Sequence, residues 1–427
     1  MFVAAVDATI QSNNDLQNQL TIGSTMTSTQ CLTSSSGDFV FGFYSSSSSG
    51  DPNNNTADQQ LLLAIWFNLN NGDGPPAATN NKMVVVWFAK DSASNRTVVA
   101  TRQSVVKFSD SGRVSLVDGG GGGQSEIELW SPSGQQPLGS ALVLQDSGNL
   151  QLIAQGRRAS FGDPTDTLLP GQNMSNRPGK YLQSRSTDTD FAPGRFTLNV
   201  QDDGNIVLYM KQLEVATDLG APYWATTTFG TGKVPTLFFN DSGNLYYSFS
   251  GNESGAVNLT ARRPLDSFQM YYHYAALDPD GTVRVYVHRK KNSTGGDDDG
   301  GSWDVFAHFP TDGCSRRTNF GLQGMCGPNA FCTSSSSSSS SSSQEGADER
   351  LGCECPYGYE FVDERHRYKG CRPSFVPHAC SDDGGDSEFV TKEVPYTSWS
   401  NQSTYKKFML TADAHDHAGA LQRLLPE

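Results

Sequence analysis

Gln201-Asp202-Asp203-Gly204-Asn205-Ile206-Val207-Leu208-Tyr209 decides how this chain is read. Asp203-Gly204 stands between two alternating runs, Phe196-Thr197-Leu198-Asn199-Val200 and Ile206-Val207-Leu208-Tyr209, which predicts a strand, a tight turn and a returning strand. If the loop is Asp202-Asp203-Gly204, with Gly204 at positive φ, Gln201 sits opposite Asn205. Period two then puts Phe196, Leu198, Val200, Ile206, Leu208 and Met210 on a core face. Thr197, Asn199, Gln201, Asn205, Val207 and Tyr209 fall on the outward face, where Asn205→Ala is expected to leave the fold unchanged.

That outward row carries two amides, a small apolar residue and a phenol, with the Asp203 carboxylate at the turn. A neutral hexose offers hydroxyls that donate and accept beside small C–H patches, so such groups on rigid strands hold it without metal or charge matching. A polar-faced hairpin with no ligand is the other reading of the same residues.

The hairpin tip recurs at Asp110-Ser-Gly, Asp146-Ser-Gly, Asp241-Ser-Gly and Pro279-Asp-Gly, making five copies with the one at Asp202. Repetition of this kind implies stacked equivalent units in a β-prism or barrel-like all-β body. The face rule places Leu142, Leu144, Leu150 and Leu152 inward around the second tip, and Leu237, Phe239, Leu245 and Tyr247 around the fourth. The equivalent outward rows are degenerate. Gln145, Ser147, Asn149, Gln151 and Ile153 keep one glutamine and one asparagine, and Ser109, Ser111, Arg113, Ser115 and Val117 keep nothing. Asn240, Ser242, Asn244, Tyr246 and Ser248 include a potential glycan acceptor, and Asp278, Asp280, Thr282, Arg284 and Tyr286 keep the second and fifth positions. At most one sugar site per chain is expected, weak unless several chains gather.

With 427 residues, two or three domains are expected. A net charge of −14 and a pI near 4.9 exclude nucleic acid as a partner, since phosphate binding needs a basic face. No apolar run reaches the length of a membrane span; Leu61–Phe67 and Met83–Phe88 have the length of buried strands. The opening MFVAAVDATI is a poor secretory signal and reads as a leader remnant. Against it stand six cysteines between Cys314 and Cys371 and sequons at Asn54, Asn95, Asn173, Asn240, Asn252, Asn258, Asn292 and Asn401, which together point to the secretory pathway and the cell surface. No nucleotide-binding, kinase or hydrolase motif is present, and adjacent Asp202 and Asp203 cannot straddle a glycosidic bond, so neither an enzyme nor a cofactor is expected. Cys353-x-Cys355 with His366 fits no common zinc module, and no metal is expected.

Gln201, Asp203, Asn205, Val207 and Tyr209 match Q-x-D-x-N-x-V-x-Y, and the region resembles the mannose-binding bulb-type lectins of monocots. The resemblance implies that the four polar residues bond mannose hydroxyls and that Val207 touches ring carbons. Ser36-Gly-Asp-Phe-Val-Phe-Gly-Phe43, Leu63-Ala-Ile-Trp-Phe67, Val85-Val-Trp-Phe-Ala89 and Ser160-Phe-Gly-Asp-Pro-Thr-Asp-Thr-Leu-Leu-Pro-Gly171 resemble the ectodomains of plant G-type lectin S-receptor-like kinases and S-locus glycoproteins. Arg158 stands where that family usually has tryptophan. Cys326-Gly-Pro-Asn-Ala-Phe-Cys332 and Cys353-Glu-Cys-Pro-Tyr-Gly-Tyr359 resemble an EGF-like module, which implies the pairs Cys314–Cys332, Cys326–Cys353 and Cys355–Cys371. The serine run from Ser334 to Ser343 reads as a floppy loop inside it. Cys380 and Phe389 to Trp399 look like the start of a PAN/apple-like domain, leaving Cys31 and Cys380 without assigned mates. In that family a membrane span and a kinase follow.

The expected architecture is all-β, with tandem bulb-lectin-type β-prism domains followed by an EGF-like module. The boundaries are a leader remnant or disordered segment over 1–16, a first bulb-type lectin domain over 17–157, a second bulb-lectin-like S-locus region over 158–302, the EGF-like module over 303–372 and a truncated PAN/apple-like start and tail over 373–427. The expected partners are mannose-type glycans or glycoproteins and homologous receptor ectodomains; the alternative is a sugar-inactive ectodomain that binds a protein or peptide.

Overall fold

A computed structural model describes residues 15–16, 18–45, 60–69, 84–91, 93–119, 125–132, 138–154, 157–160, 162–211, 220–252, 254–260, 268–290, 302–310, 326–336, 349–375 and 398–399. Among them the chain is all-β, with no α-helix, and it divides into two compact units.

The larger unit is built from six hairpins, three in each of two prisms. In the first prism they are Phe39–Ser45 with Leu61–Phe67, Val105–Phe108 with Val114–Asp118, and Ala141–Leu144 with Leu150–Ala154. In the second they are Pro193–Val200 with Ile206–Met210, Thr236–Phe239 with Leu245–Ser248, and Tyr271–Leu277 with Val283–Arg289. The chain enters each prism through a leading segment that lends one strand to each hairpin in reverse order. Gln19–Thr21, Thr25–Thr27 and Cys31–Thr33 join the third, second and first hairpins. Thr167–Leu168, Asn173–Ser175 and Leu182–Arg185 join the sixth, fifth and fourth. The same threading twice is a duplication visible in topology.

Alternation then fills each core. Leu142, Leu144, Leu150 and Leu152 are buried in the first prism, and Leu237, Phe239, Leu245 and Tyr247 in the second, as period two requires. The first hairpin is buried on both faces, which explains its uninterrupted apolar run. Its odd-numbered residues Phe41, Phe43, Leu63 and Ile65 enter the first core, while Val40, Leu62, Ala64 and Trp66 pack with Phe191 of the second prism.

That seam holds charge as well. Arg185 Nε donates to Asp166 Oδ2 at 2.5 Å, its Nη2 donates to the Val85 carbonyl, and its guanidinium lies 4.3 Å from the Phe191 ring centre. Nearby, the Phe67 ring meets Tyr272, Tyr274 and Trp303, and the Tyr272 hydroxyl donates to Asp38 at 2.6 Å.

Three strands fall outside the expected boundaries. Arg157–Ser160 pairs with the third hairpin, and Asp304–Phe309 completes the sheet of the sixth, so the prisms run past 157 and 302. Asp15–Leu16, expected within a leader, pairs in parallel with Cys31-Leu32.

In the smaller unit, Cys326–Cys353 and Cys355–Cys371 are bonded, with Cys332 likewise in a disulfide. These cysteines and Ala330 form its small core, as expected where little apolar surface can be buried. Ser398–Trp399, expected in a PAN-like start, pairs with Phe331–Cys332. Cys314, Cys380 and most of the serine run lie outside the described residues.

Lys90 lies by the seam, its ammonium 5.3 Å from the Phe88 ring centre, and burial pulls its pKa down to about 8. A lysine depressed in the fold binds fewer protons there than in the unfolded chain, so stability rises with pH between about 8 and the ordinary lysine value near 10.4. Urea denaturation of the parent is expected to show that rise, and Lys90→Met to flatten it.

Candidate functional site

The fourth hairpin folds in the register its sequence implies. The Gln201 N–H donates to the Asn205 carbonyl at 2.8 Å, and Gly204 takes φ of +98°. Phe196, Leu198, Val200, Ile206, Leu208 and Met210 are all buried. Gln201, Asp203, Asn205, Val207 and Tyr209 are thereby brought to one tip and one face.

The face is less open than alternation alone implies. Asn205 is 7 % exposed and Val207 3 %, whereas Asp203 is exposed and Gln201 and Tyr209 are half-buried. What covers the row is the segment after the strand Ala221–Ala225, which folds back over the tip. The Thr226 hydroxyl donates to Asn205 Oδ1 at 2.8 Å and the Thr228 N–H at 3.3 Å. The Thr228 hydroxyl donates to the Gly204 carbonyl, and the Gly230 N–H to the Asp203 carbonyl. Asn205 is therefore a tie between the hairpin and its cover, and the expectation that Asn205→Ala spares the fold is corrected. Removing its oxygen strands a backbone donor, at about 1–3 kcal/mol. Val207 floors the row and presents little surface to a ring.

These bonds also fix the chemistry on offer. A backbone N–H only donates, so the Asn205 atom facing Thr228 is its oxygen, and Nδ2 lies on the side away from the cover. Nδ2 has no hydrogen-bond partner among the described residues. Gln201 Nε2 donates to the Tyr209 hydroxyl at 2.6 Å, which leaves the phenolic proton and Gln201 Oε1 unused. Burial pushes the Tyr209 hydroxyl above its usual pKa, partly offset by the Gln201 bond, so it stays a donor. Asp203 Oδ1 accepts the Asn205 N–H at 2.9 Å, leaving Oδ2. Two donors and two acceptors remain around one tip, the complement of a polyol.

The other rows are closed in different ways. In the sixth hairpin, Arg284 stands where Val207 does in the fourth and is 1 % exposed. Its guanidinium bonds Asp278 at 2.6 Å and Asp280 at 2.8 Å, and the Tyr286 hydroxyl donates to Asp278 at 2.7 Å. The row has become a buried ion cluster with its own cation in the ligand space. In the third hairpin, Gln145 bonds Gln151.

The sequons also separate. Asn95 Nδ2 donates to the Tyr181 hydroxyl and to Gln183 Oε1 across the seam, which argues against a glycan there. Asn240 is half-buried, with Oδ1 accepting two backbone N–H groups of its own tip, whereas Asn173, Asn252 and Asn258 are exposed. Asn54, Asn292 and Asn401 lie outside the described residues.

Thr226, Thr228 and Thr231 were not read from the sequence as part of the site, since Thr226-Thr-Thr-Phe-Gly-Thr-Gly232 carries only a loop signal. Gly204 couples the two parts. A Cβ there would lie 2.5 Å from Thr231 Oγ1 and 2.9 Å from two carbonyls of the cover, quite apart from its positive φ. Gly204→Ala is expected to cost more than about 1 kcal/mol. Hydrogen exchange should show the amides of Thr228 and Gly230 losing protection first.

No protein-family model matches the chain. The G-type lectin S-receptor-like serine/threonine-protein kinase LECRK2 of Oryza sativa subsp. japonica is 35 % identical over 302 residues, covering 69 % of this chain and 34 % of the relative. LECRK1 of the same subspecies is 31 % identical over 336 residues (75 % and 38 %), and RLK1 of Arabidopsis thaliana is 27 % identical over 343 (73 % and 37 %). The chain thus spans about a third of the length of the curated relatives it matches. Solved structures similar to it include monomeric monocot mannose-binding lectins from Gastrodia elata, at 23 % identity and a TM-score of 0.20 over 30 % of this chain and 89 % of that one. The two-domain fetuin-binding agglutinin of Scilla campanulata stands at 15 % identity and 0.20, over 61 % and 94 %. Over about 70 % of its length the chain is thus homologous to G-type lectin S-receptor-like kinases, matching the ectodomain part of these relatives.

Proposed function

We propose that this chain is a carbohydrate-binding ectodomain acting in the secretory pathway or at the cell surface in recognition. It has one mannose-type site, at Gln201, Asp203, Asn205, Val207 and Tyr209. The observation that carries the reading is the Asn205 carboxamide, whose oxygen is consumed by Thr226 and Thr228 while its nitrogen has no hydrogen-bond partner among the described residues. A donor left free beside the unused acceptors of the same tip is placed to bond a sugar hydroxyl. Gln201 Oε1, Asp203 Oδ2 and the Tyr209 hydroxyl supply the remaining bonds. Four hydrogen bonds at about 1 kcal/mol net each give on the order of −4 kcal/mol, or about 1 mM for a monosaccharide. Useful binding then requires several chains or a multivalent glycan.

A second reading, a sugar-inactive ectodomain that binds a protein or a homologous ectodomain, is favoured by the buried ion cluster that fills the sixth row. The kinase activity named for the relatives is a property of proteins about three times as long.

A glycan array on the secreted chain is expected to show mannose-terminated ligands. Asn205→Asp keeps the acceptor that Thr226 and Thr228 need but removes the donor, so binding is lost, and the carboxylate at this 7 % exposed position beside Asp203 lowers the melting temperature without unfolding the chain. Tyr209→Phe is expected to weaken binding about tenfold, the equivalent of about 1.4 kcal/mol. An empty array with a folded parent chain would turn the search to protein partners.

A further inference from the structure

The sheet of the fifth hairpin carries a second feature that the sugar site leaves unused. Asn173 pairs with Phe238, Phe238 with Tyr246, and Tyr246 with Asn258, so the four residues form one line across its four strands. Directly paired residues share a face, and here it is the one opposite the buried Met174, Leu237 and Tyr247. Both ends of the line are exposed asparagines in sequons, Asn173-Met-Ser175 and Asn258-Leu-Thr260. Between them the Phe238 and Tyr246 rings stack at 5.2 Å with 13° between their planes. That separation matches the spacing of adjacent strands, so the outer faces of the stack turn towards the edge strands, and the half-buried Phe238 turns its face to Asn173.

We propose that this sheet is a glycan-bearing face, N-glycosylated at Asn173 and Asn258, with the first sugar of the Asn173 glycan lying against Phe238. The proposal rests on the secretory-pathway reading above. In the modification, Asn Nδ2 attacks the anomeric carbon of a lipid-pyrophosphate-linked oligosaccharide. A C–N bond forms, the C–O bond to the pyrophosphate breaks, the amide gives up one proton and the lipid pyrophosphate leaves. The apolar C–H face of the attached ring then meets the aromatic face, a contact of the kind that aromatic side chains favour beyond simple burial. Asn95 has no such setting. Its Nδ2 is bonded to Tyr181 and Gln183 across the seam, so a glycan on that nitrogen would wedge the seam open.

The test is the full chain secreted from insect cells behind an added signal peptide, with site occupancy read by mass spectrometry after glycosidase release in heavy-oxygen water. Asn173 and Asn258 are expected to be occupied in most molecules and Asn95 in few. Asn173→Gln should then lower Tm by about 2–4 °C in the parent and leave it unchanged in a Phe238→Leu background, which keeps an apolar side chain and removes the ring. A bare Asn173 in the secreted chain, an Asn95 occupied as fully as Asn173, or an equal loss of Tm in both backgrounds would overturn the proposal. Occupied sites in the forced-secreted chain, with bare asparagines in the chain from its native source, would support the site geometry and overturn the secretory reading.

Discussion

A glycine at positive φ closes each of five hairpins, and the rest of the larger unit depends on that constraint. Gly112, Gly148, Gly204, Gly243 and Gly281 lie between +68° and +98°, where residues with a Cβ are strained. Each ends a short loop that fixes which residues face each other across the hairpin. Because side chains alternate with period two, a slip of one residue would exchange the core face for the outward face along the whole strand. The same glycines therefore set the leucine cores and aim the polar rows. At Gly204 the constraint is doubled, since the segment that covers the row leaves no space for a Cβ.

Six hairpins on one plan show how a repeated scaffold diverges. Leading segments give every hairpin a third strand, and a following strand gives a fourth, with Asp15–Leu16 adding a fifth to the first sheet alone. The differences lie in what meets the outward rows. The first hairpin turns its outward face to the second prism and fills it with Val40, Leu62 and Trp66. The sixth fills its own row with Arg284, held by Asp278 and Asp280 at the cost of desolvating three charges, which only close pairing offsets. The fourth is covered by a segment that takes the Asn205 oxygen and leaves its nitrogen unpaired. Binding chemistry on this fold is a property of the cover as much as of the row.

Much of this was legible in the sequence, for a local reason. Asp-x-Gly tips between alternating runs report the turn and the faces at once, and the inward residues read from them are buried. The first hairpin was less legible because its strands are apolar on both faces and its connection, 46–60, has no such tip. The boundaries at 157 and 302 ran short because Arg157–Ser160 and Asp304–Phe309 join their sheets as outer strands, with pairing partners that local pattern does not reveal. The cover was hidden for a similar reason: Thr226 and Thr228 meet Asn205 from 21 and 23 residues away, and nothing periodic in Thr226–Lys233 announces the contact. Alternation told which face Asn205 was on and could not tell what else had come to lie there.

The most direct measurement of the central claim is the side-chain amide of Asn205, followed by ¹H–¹⁵N NMR as methyl α-mannoside is added to the folded chain. A saturable shift of the Asn205 Nδ2 pair is expected, with the Gln201 amide moving in step and the Thr228 backbone amide staying in place. An Asn205 pair that does not move at tens of millimolar sugar, while the spectrum stays well dispersed, would contradict it.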